Sequence, residues 1–216
     1  SNAPRPSEKV KEFLREMKMK EEFLKNIVTS GEAAMQTINE NKFGKFFFHL
    51  GPKRDESIFY KIKENQTSIE NSDFILCTGL FDGHENDLDF YKDLLKNSLS
   101  KKLICTNPDL NVHRGEKEEH CAGAIARVFE SQGGTVIYFG KPHKEIYKMC
   151  FSGNEKVLAI GDNLRTDIRG ANNLNIESIF ISNGVHRSEF QNENELSKLI
   201  LKYKVKVDYF QPELTW

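Results

Sequence analysis

The chain has 216 residues, of which 31 are Lys or Arg and 32 are Asp or Glu, so its formal net charge is −1. This length corresponds to one or two domains, and the balanced charge argues against a nucleic-acid binder. No stretch approaches the roughly 20 apolar residues of a membrane span, and residues 1–20 are too polar for a secretory signal. Cys77 and Cys105 lie in apolar runs, as buried free thiols do. We therefore expect a cytoplasmic protein with no membrane and no nucleic-acid partner.

Helical and extended patterns alternate along the chain. A first helix is predicted after Ser7, its expected N-cap, and Thr29 with Glu32 forms the capping-box pattern of a second helix near 30–41. Further helices are predicted over 88–99, 122–131, 143–150, 166–174 and 193–204. Strands are predicted over 45–50, 73–78, 103–106, 135–139, 157–160, 178–182 and 205–210, and the charged stretch 112–120 is predicted to be a solvated loop. This alternation predicts an α/β fold with a mostly parallel sheet.

Two carboxylates follow the apolar strand predicted over 157–160. Asp162 stands at its carboxyl end, where α/β sheets place ligands, and Asp167 follows five residues later at the start of a helix. A tight loop between them would bring two hard oxygen ligands together, which suits Mg²⁺. The alternative is that Asp162 caps a turn and Asp167 interacts with a helix N-terminus. The spacing alone does not separate these two interpretations.

Two further segments offer groups that can bind phosphate. Lys141 directly follows a predicted strand and Gly140, so we expect it at the same sheet edge as Asp162, where its ammonium could neutralise phosphate oxygens. Ser1 and Asn2 precede the first helix and can donate hydrogen bonds to a phosphate. A solvated surface lysine is the alternative for Lys141. Residues 1–3, Ser-Asn-Ala, also match a familiar remnant of tag removal.

Taken together, these segments resemble the haloacid dehalogenase (HAD) superfamily, subclass IIA, the NagD-like phosphatases. Three stretches match motifs of this family: motif II is Ser1-Asn2-Ala3-Pro4-Arg5-Pro6, motif III is Gly140-Lys141-Pro142, and motif IV is Gly161-Asp162-Asn163-Leu164-Arg165-Thr166-Asp167-Ile168. Three other stretches also look like that family: Thr29-Ser30-Gly31-Glu32, Thr106-Asn107-Pro108-Asp109 and Cys121-Ala122-Gly123-Ala124. The resemblance covers essentially the whole chain. Motif IV is highly specific in the form that it has here.

The resemblance implies a Rossmann-like HAD core with a parallel sheet and an inserted C2-type α/β cap domain. We place the core at residues 1–51 and 137–216 and the cap at 52–136. The loop carrying Asn107 and Asp109 would then overhang the site and bind substrate, although its composition equally predicts an ordinary turn.

The resemblance also implies a Mg²⁺-dependent hydrolase that acts on a small phosphorylated metabolite, a phosphomonoester. Asp162 and Asp167 would hold the metal, Lys141 would bind the phosphate during catalysis, and Ser1 and Asn2 would donate hydrogen bonds to it. Members of the family attack phosphorus with an Asp on a strand that precedes motif II. That motif I is missing here, so we expect the nucleophile to lie upstream and the chain as given to be inactive. The alternative is an inactive scaffold that binds a phosphorylated ligand or a protein partner. A sheet without its central strand exposes edges, and we therefore expect a homodimer.

Overall fold

The computed structural model describes residues 1–114 and 117–215, and it divides into two compact units, Ser1–Gly140 and Lys141–Trp216. Each unit is built around its own parallel sheet. The α/β class predicted from the sequence is therefore confirmed. Within the described residues, no helix has the length and apolar character needed to cross a membrane.

The first unit contains a four-stranded parallel sheet, four helices and a two-stranded hairpin. Its helices are α1 (Ser7–Glu16), α2 (Ser30–Asn39), α3 (Leu88–Leu95) and α4 (Ala122–Ser131), with 3-10 segments at Glu21–Leu24 and Lys53–Asn65. Its strands are β1 (Phe47–Leu50), β2 (Phe74–Cys77), β3 (Lys102–Cys105), β4 (Asn111–Arg114), β5 (Lys117–His120) and β6 (Thr135–Tyr138). The sheet has the order β1-β2-β3-β6, and β4 pairs with β5 as an antiparallel hairpin.

Both faces of this sheet are covered, which explains why its strands read as continuous apolar runs. Ile75 and Cys77 of β2 face a core that includes Tyr91 of α3 and Phe129 of α4. The alternate residues of β2 face a second core, which includes Ala34 of α2. The last residues of the four strands are in register, so the loops that follow all four strands leave the sheet at one edge.

The second unit is a three-stranded parallel sheet with helices on one face. Its elements are α5 (Lys144–Tyr147), β7 (Leu158–Gly161), a π-helical turn (Leu164–Ile168), α6 (Arg169–Asn173), β8 (Glu177–Ile181), α7 (Glu193–Tyr203) and β9 (Tyr209–Gln211). The strand order is β7-β8-β9. Phe180 of β8 is fully buried against Leu164 and Ile168 of the turn and Leu196 and Leu199 of α7.

Three local predictions are corrected by the structure. Pro6, not Ser7, is the N-cap of α1, and the Ser7 hydroxyl instead donates to Glu32 at 2.8 Å. The stretch 112–120, predicted to be a loop, belongs to the β4–β5 hairpin, apart from residues 115 and 116, which lie outside the described residues. The helix predicted over 88–99 ends at Leu95, before Asn97 and Ser98, which are weak helix formers.

The predicted division into a core and a cap stays a prediction. Strand β1 lies on the core side of the predicted boundary and β2 on the cap side, yet the two strands pair in one sheet. Strand β6 crosses the other predicted boundary.

Candidate functional site

Asp162 and Asp167 come together at the carboxyl end of β7. The π-helical turn begins two residues after Asp162 and carries Asp167, whose Oδ2 accepts a hydrogen bond from the Asn163 N–H at 3.1 Å. The Asp167 carboxylate also lies against Gly161, where an added Cβ would overlap it. Asp167 therefore contacts the residues on both sides of Asp162. This is the tight loop that the sequence spacing requires.

The Asp162 side chain is held from the neighbouring strand. Its Oδ2 accepts a hydrogen bond from the Val185 N–H at 3.0 Å, in the loop that follows β8. Gly184 lies directly against this carboxylate and leaves no room for a Cβ. Among the hydrogen bonds of the described residues, none engages Oδ1 of Asp162.

Lys141 forms an ion pair with Asp167 through Oδ1. The side chain of Asp167 is 11% exposed and that of Lys141 is 29% exposed, so the pair is partly shielded from water. Both carboxylate oxygens of Asp167 accept hydrogen bonds from the protein, Oδ1 from Lys141 and Oδ2 from Asn163. The second unit thus brings Lys141, Asp162 and Asp167 into one cluster.

Tyr147 lies behind this cluster, with its hydroxyl against Gly170. Burial raises the pKa of Tyr147, and the charge of Asp167 raises it further. The phenol therefore stays protonated near neutral pH and supplies no base to the cluster.

His186 binds the start of the π-helical turn through a hydrogen bond, a contact that the sequence analysis missed. The ring is fully buried, its Nε2 accepts a hydrogen bond from the Leu164 N–H at 3.1 Å, and its Nδ1 lies 2.6 Å from Oε1 of Glu189. Accepting at Nε2 and donating at Nδ1 fixes the neutral tautomer. Burial alone would raise the pKa of Glu189, but the hydrogen bond from His186 contributes to a net lowering.

The donor set of this cluster fits Mg²⁺ in one specific way. Within the described part of the chain, no group of three or more His, Cys, Asp or Glu residues could hold a metal. Mg²⁺ nevertheless keeps several waters and takes only one or two protein carboxylates. Asp162, with Oδ1 available and Oδ2 oriented by Val185, fits a direct ligand. Asp167 fits an outer position, because both of its oxygens already accept from the protein.

The first unit holds the other predicted site residues around a cavity of about 260 Å³. Ser1, Asn2, Asn107 and Asp109 all line it, together with residues from the ends of β1 and β2 and from the β4–β5 hairpin. The structure thus brings these four together in one unit and Lys141, Asp162 and Asp167 together in the other.

The N-terminus of α2 positions residues 1–3. The Ser30 N–H donates to the carbonyl of Ser1 at 2.9 Å, and the Gly31 N–H donates to the carbonyl of Ala3 at 3.1 Å. Such N–H groups of a first helical turn have no partner within the helix, so they are free to fix an incoming segment. Position 31 must be glycine here, because a Cβ would overlap the Pro4 carbonyl group.

The loop after β3 forms the turn that its composition predicts, and its role in binding substrate stays a prediction. Asn107 forms a turn, its Oδ1 accepting from the Asp109 N–H at 3.1 Å. The Asp109 carboxylate accepts from Asn2 Nδ2 at 3.3 Å, which connects this turn to residues 1–3 across the cavity. Gly123 at the start of α4 donates its N–H to the Asp109 carbonyl at 3.2 Å and has no space for a Cβ against the turn.

Comparison with known proteins finds similar sequence and structure among HAD hydrolases. The HAD-hydrolase-like family model matches residues 138–204, which include Lys141, Asp162 and Asp167. A hydrolase of the haloacid dehalogenase-like family from Brucella suis 1330 has a similar structure, with a TM-score of 0.84 and 27% identity over 99% of this chain and 81% of that chain. The chain is therefore similar to HAD-family hydrolases, in sequence over residues 138–204 and in structure over almost its whole length. Comparison with the curated proteins gives no significant match.

Two other solved structures share the HAD fold at lower identity. A p-nitrophenyl phosphatase from Archaeoglobus fulgidus has a TM-score of 0.71 and 18% identity, over 98% of this chain and 80% of its own. A possible sugar phosphatase of the HAD superfamily from Cytophaga hutchinsonii has a TM-score of 0.72 and 19% identity, over 97% and 78%. The resemblance predicted from the sequence motifs is confirmed by the family-model match to residues 138–204 and by the similarity to the Brucella suis hydrolase.

Proposed function

We propose that the chain is part of a Mg²⁺-dependent HAD phosphatase of subclass IIA that hydrolyses a small phosphomonoester. The observation that carries this proposal is the cluster of Lys141, Asp162 and Asp167 at the end of β7. Its composition, one ammonium and two oriented carboxylates, matches what phosphoryl transfer needs, namely positive charge for the phosphoryl oxygens and hard ligands for a divalent cation.

Each residue of the cluster has a definite role in this proposal. Asp162 would hold Mg²⁺ through Oδ1, and Asp167 would hold Lys141 in place and accept from a water bound to the metal. Lys141 would bind the phosphate, with Ser1 and Asn2 donating further hydrogen bonds. Bound Mg²⁺ would neutralise phosphoryl charge. That the residues of both units serve one substrate is implied by the family resemblance and stays a prediction, as does the homodimer.

The covalent part of the proposal is an aspartyl-phosphate. A carboxylate nucleophile attacks phosphorus, the P–O bond to the alcohol breaks, and water later hydrolyses the acyl phosphate. The family resemblance assigns that nucleophile to a position upstream of residue 1. The names of two structural neighbours, a p-nitrophenyl phosphatase and a possible sugar phosphatase, support phosphomonoester hydrolysis as the reaction class.

The test combines calorimetry with turnover. Mg²⁺ and then inorganic phosphate are titrated into the wild-type chain and into Asp162→Asn, with Glu213→Gln as a control that removes an exposed carboxylate elsewhere in the unit. We expect Asp162→Asn to lose Mg²⁺ binding and Glu213→Gln to keep it. Equal Mg²⁺ affinity in all three proteins would refute the metal assignment.

Turnover of p-nitrophenyl phosphate in the same samples tests the proposed position of the nucleophile. Binding of Mg²⁺ and phosphate without turnover is expected for the chain as given and also fits the inactive scaffold. Turnover by this chain would refute the assignment of the nucleophile to an upstream residue.

A further inference from the structure

The loop that carries Asp162 is fixed at two points by neighbouring residues of the loop after β8. The Val185 N–H donates to Oδ2 of Asp162 at 3.0 Å. The next residue, His186, accepts from the Leu164 N–H at 3.1 Å through Nε2. Asp162 and Leu164 lie on either side of Asn163, so the two contacts bracket a stretch of three residues. The conformation of this stretch therefore depends on both contacts.

The Leu164 N–H is the first donor of the π-helical turn, and it is bound from outside the turn. The N–H groups of a first helical turn have no partner within the helix and need another acceptor. Asn163 accepts from later residues of the turn, through Oδ1 from the Arg165 N–H at 2.9 Å and through its carbonyl from the Asp167 N–H at 2.9 Å. Leu164 is fully buried, so without the His186 ring its N–H would be a buried donor with no acceptor.

Glu189 holds the ring of His186 in the tautomer that this contact requires. A backbone N–H can only donate, so Nε2 of His186 carries no hydrogen and Nδ1 carries it. Oε1 of Glu189 lies 2.6 Å from Nδ1 and accepts that hydrogen. The Glu189 N–H also donates to the carbonyl of His186 at 2.9 Å, so the two residues are joined twice. A carboxylate on one nitrogen of a histidine fixes the orientation of the ring and strengthens the other nitrogen as an acceptor.

Tyr203 at the end of α7 connects this pair back to the π-helical turn. Its hydroxyl donates to Oε2 of Glu189 at 3.1 Å, and its ring packs edge-on against the ring of His186, with 5.0 Å between the centroids. The guanidinium carbon of Arg165 lies 5.6 Å from the centroid of the Tyr203 ring. The contacts that start at Leu164 therefore return to the same turn at Arg165.

We propose that His186 is a positioning residue of the metal site, which holds residues 162–164 in the conformation that lets Asp162 bind Mg²⁺. The inference rests on the proposed function, because it takes Asp162 as the direct metal ligand. His186 contacts neither metal nor substrate in this proposal. It acts through the Leu164 N–H, and Glu189 acts through His186. The affinity for Mg²⁺ therefore depends on a hydrogen-bond acceptor at the position of Nε2 as well as on the carboxylates.

The test is calorimetric titration of Mg²⁺ into the wild-type chain and three variants. His186→Leu removes the acceptor and keeps an apolar side chain at the buried position. His186→Gln places an amide oxygen near the position of Nε2, where it can accept from Leu164. Asp208→Ala is the matched control, because Oδ2 of Asp208 also accepts from a distant backbone N–H, that of Ser178 at 3.0 Å, near the start of β8.

His186→Leu is expected to weaken Mg²⁺ binding about tenfold, as the loss of contacts around metal ligands commonly does. His186→Gln should recover most of this loss, and Asp208→Ala should bind Mg²⁺ as the wild type does. A purely structural role would instead make the affinity follow the stability of the unit, so Asp208→Ala would lose affinity as well. Urea unfolding followed by circular dichroism measures the stability of each variant.

Nuclear magnetic resonance of the wild-type chain supplies a test that needs no variant. The ring nitrogens of His186 should show hydrogen on Nδ1 and none on Nε2. Addition of Mg²⁺ should shift the amide resonance of Leu164 more than that of Ser178. If Nε2 carries the hydrogen, it cannot accept from Leu164, and the proposed role of His186 is overturned.

The outcomes separate this inference from the proposed function. If the wild type and His186→Leu bind Mg²⁺ equally tightly, the positioning role is overturned while the metal assignment of Asp162 stands. An equal loss of affinity in His186→Leu and Asp208→Ala, or in His186→Leu and His186→Gln, overturns the positioning role in the same way. If the wild-type chain does not bind Mg²⁺, the metal assignment fails and the role of His186 fails with it.

Discussion

The contribution of Asp167 to stability can be worked out from its two contacts. Removing one partner of a fully buried ion pair costs about 3–5 kcal/mol. Lys141 is 29% exposed and can regain water, so we expect Asp167→Asn to lower the free energy of unfolding by only about 1–2 kcal/mol. Asp167→Ala also leaves the Asn163 N–H without its acceptor, which adds about 1–2 kcal/mol.

Urea unfolding followed by circular dichroism measures these differences. The expected order of stability is wild type, then Asp167→Asn, then Asp167→Ala, with the exposed control Glu213→Gln within about 0.5 kcal/mol of the wild type. Two results contradict the reasoning. If Asp167→Asn is as stable as the wild type, the ion pair contributes nothing, and if the two variants are equal, the bond to Asn163 contributes nothing.

Three further predictions follow from single contacts. Gly161→Ala should destabilise by about 1–3 kcal/mol by displacing the Asp167 carboxylate, and calorimetry should show weaker Mg²⁺ binding. Burial lowers the pKa of His49 to about 4, although the charge of Glu56 acts in the opposite direction. The contribution of neutral His49 to the free energy of unfolding, about 3 kcal/mol, is therefore complete above pH 6.5 and is lost as the pH falls towards 4. The variant His49→Phe should flatten the dependence of stability on pH in this range. Thr29→Ala should lower the stability by about 1 kcal/mol in urea unfolding.

The sequence predicts the strands well, because each is a short apolar run that ends at a turn residue. Strand β2 is buried on both faces and stops before Thr78-Gly79. Neighbouring residues in the sequence therefore predict both that it is a buried strand and where it ends. The capping pattern of Thr29 and Glu32 is confirmed, since the Thr29 side chain accepts from the Glu32 N–H at 3.2 Å. Features of this kind depend on neighbours within a few residues of one another.

Features that depend on contacts between distant residues escape such reasoning. The helix predicted over 166–174 is instead a π-helical turn followed by α6, and the Leu164 N–H at its start donates to His186, 22 residues away. The extent of the 3-10 segment Lys53–Asn65 likewise has no local apolar period to reveal it. The hairpin β4–β5 was missed because its residues are mostly charged, although a glycine between two runs of four residues is a recognisable hairpin signal.

The predicted site residues divide in the same way. The prediction that Lys141 and Asp162 share one sheet edge was wrong, because β6 and β7 belong to different sheets. Lys141 instead reaches Asp167 through an ion pair, and the roles of Lys141, Asp162 and Asp167 stay predictions. Val185 orients Asp162 through its backbone N–H, a group that almost every residue type has, so the sequence does not reveal this contact. His120 was assigned to a solvated loop, since the hydrogen bonds that link it through Asn111 to Glu118 exist only once the hairpin has formed.

In the first unit the four strands end in register, so residues within the strands and residues after the strands have different roles. Residues within the strands, such as Leu76 and Ile104, fill the cores and are constrained by packing. Residues after the strands line the cavity, and of these only Leu80 is among the described members of those cores. Most exchanges in these loops can therefore alter the shape and charge of the cavity at little cost in folding stability, while the sheet stays the same.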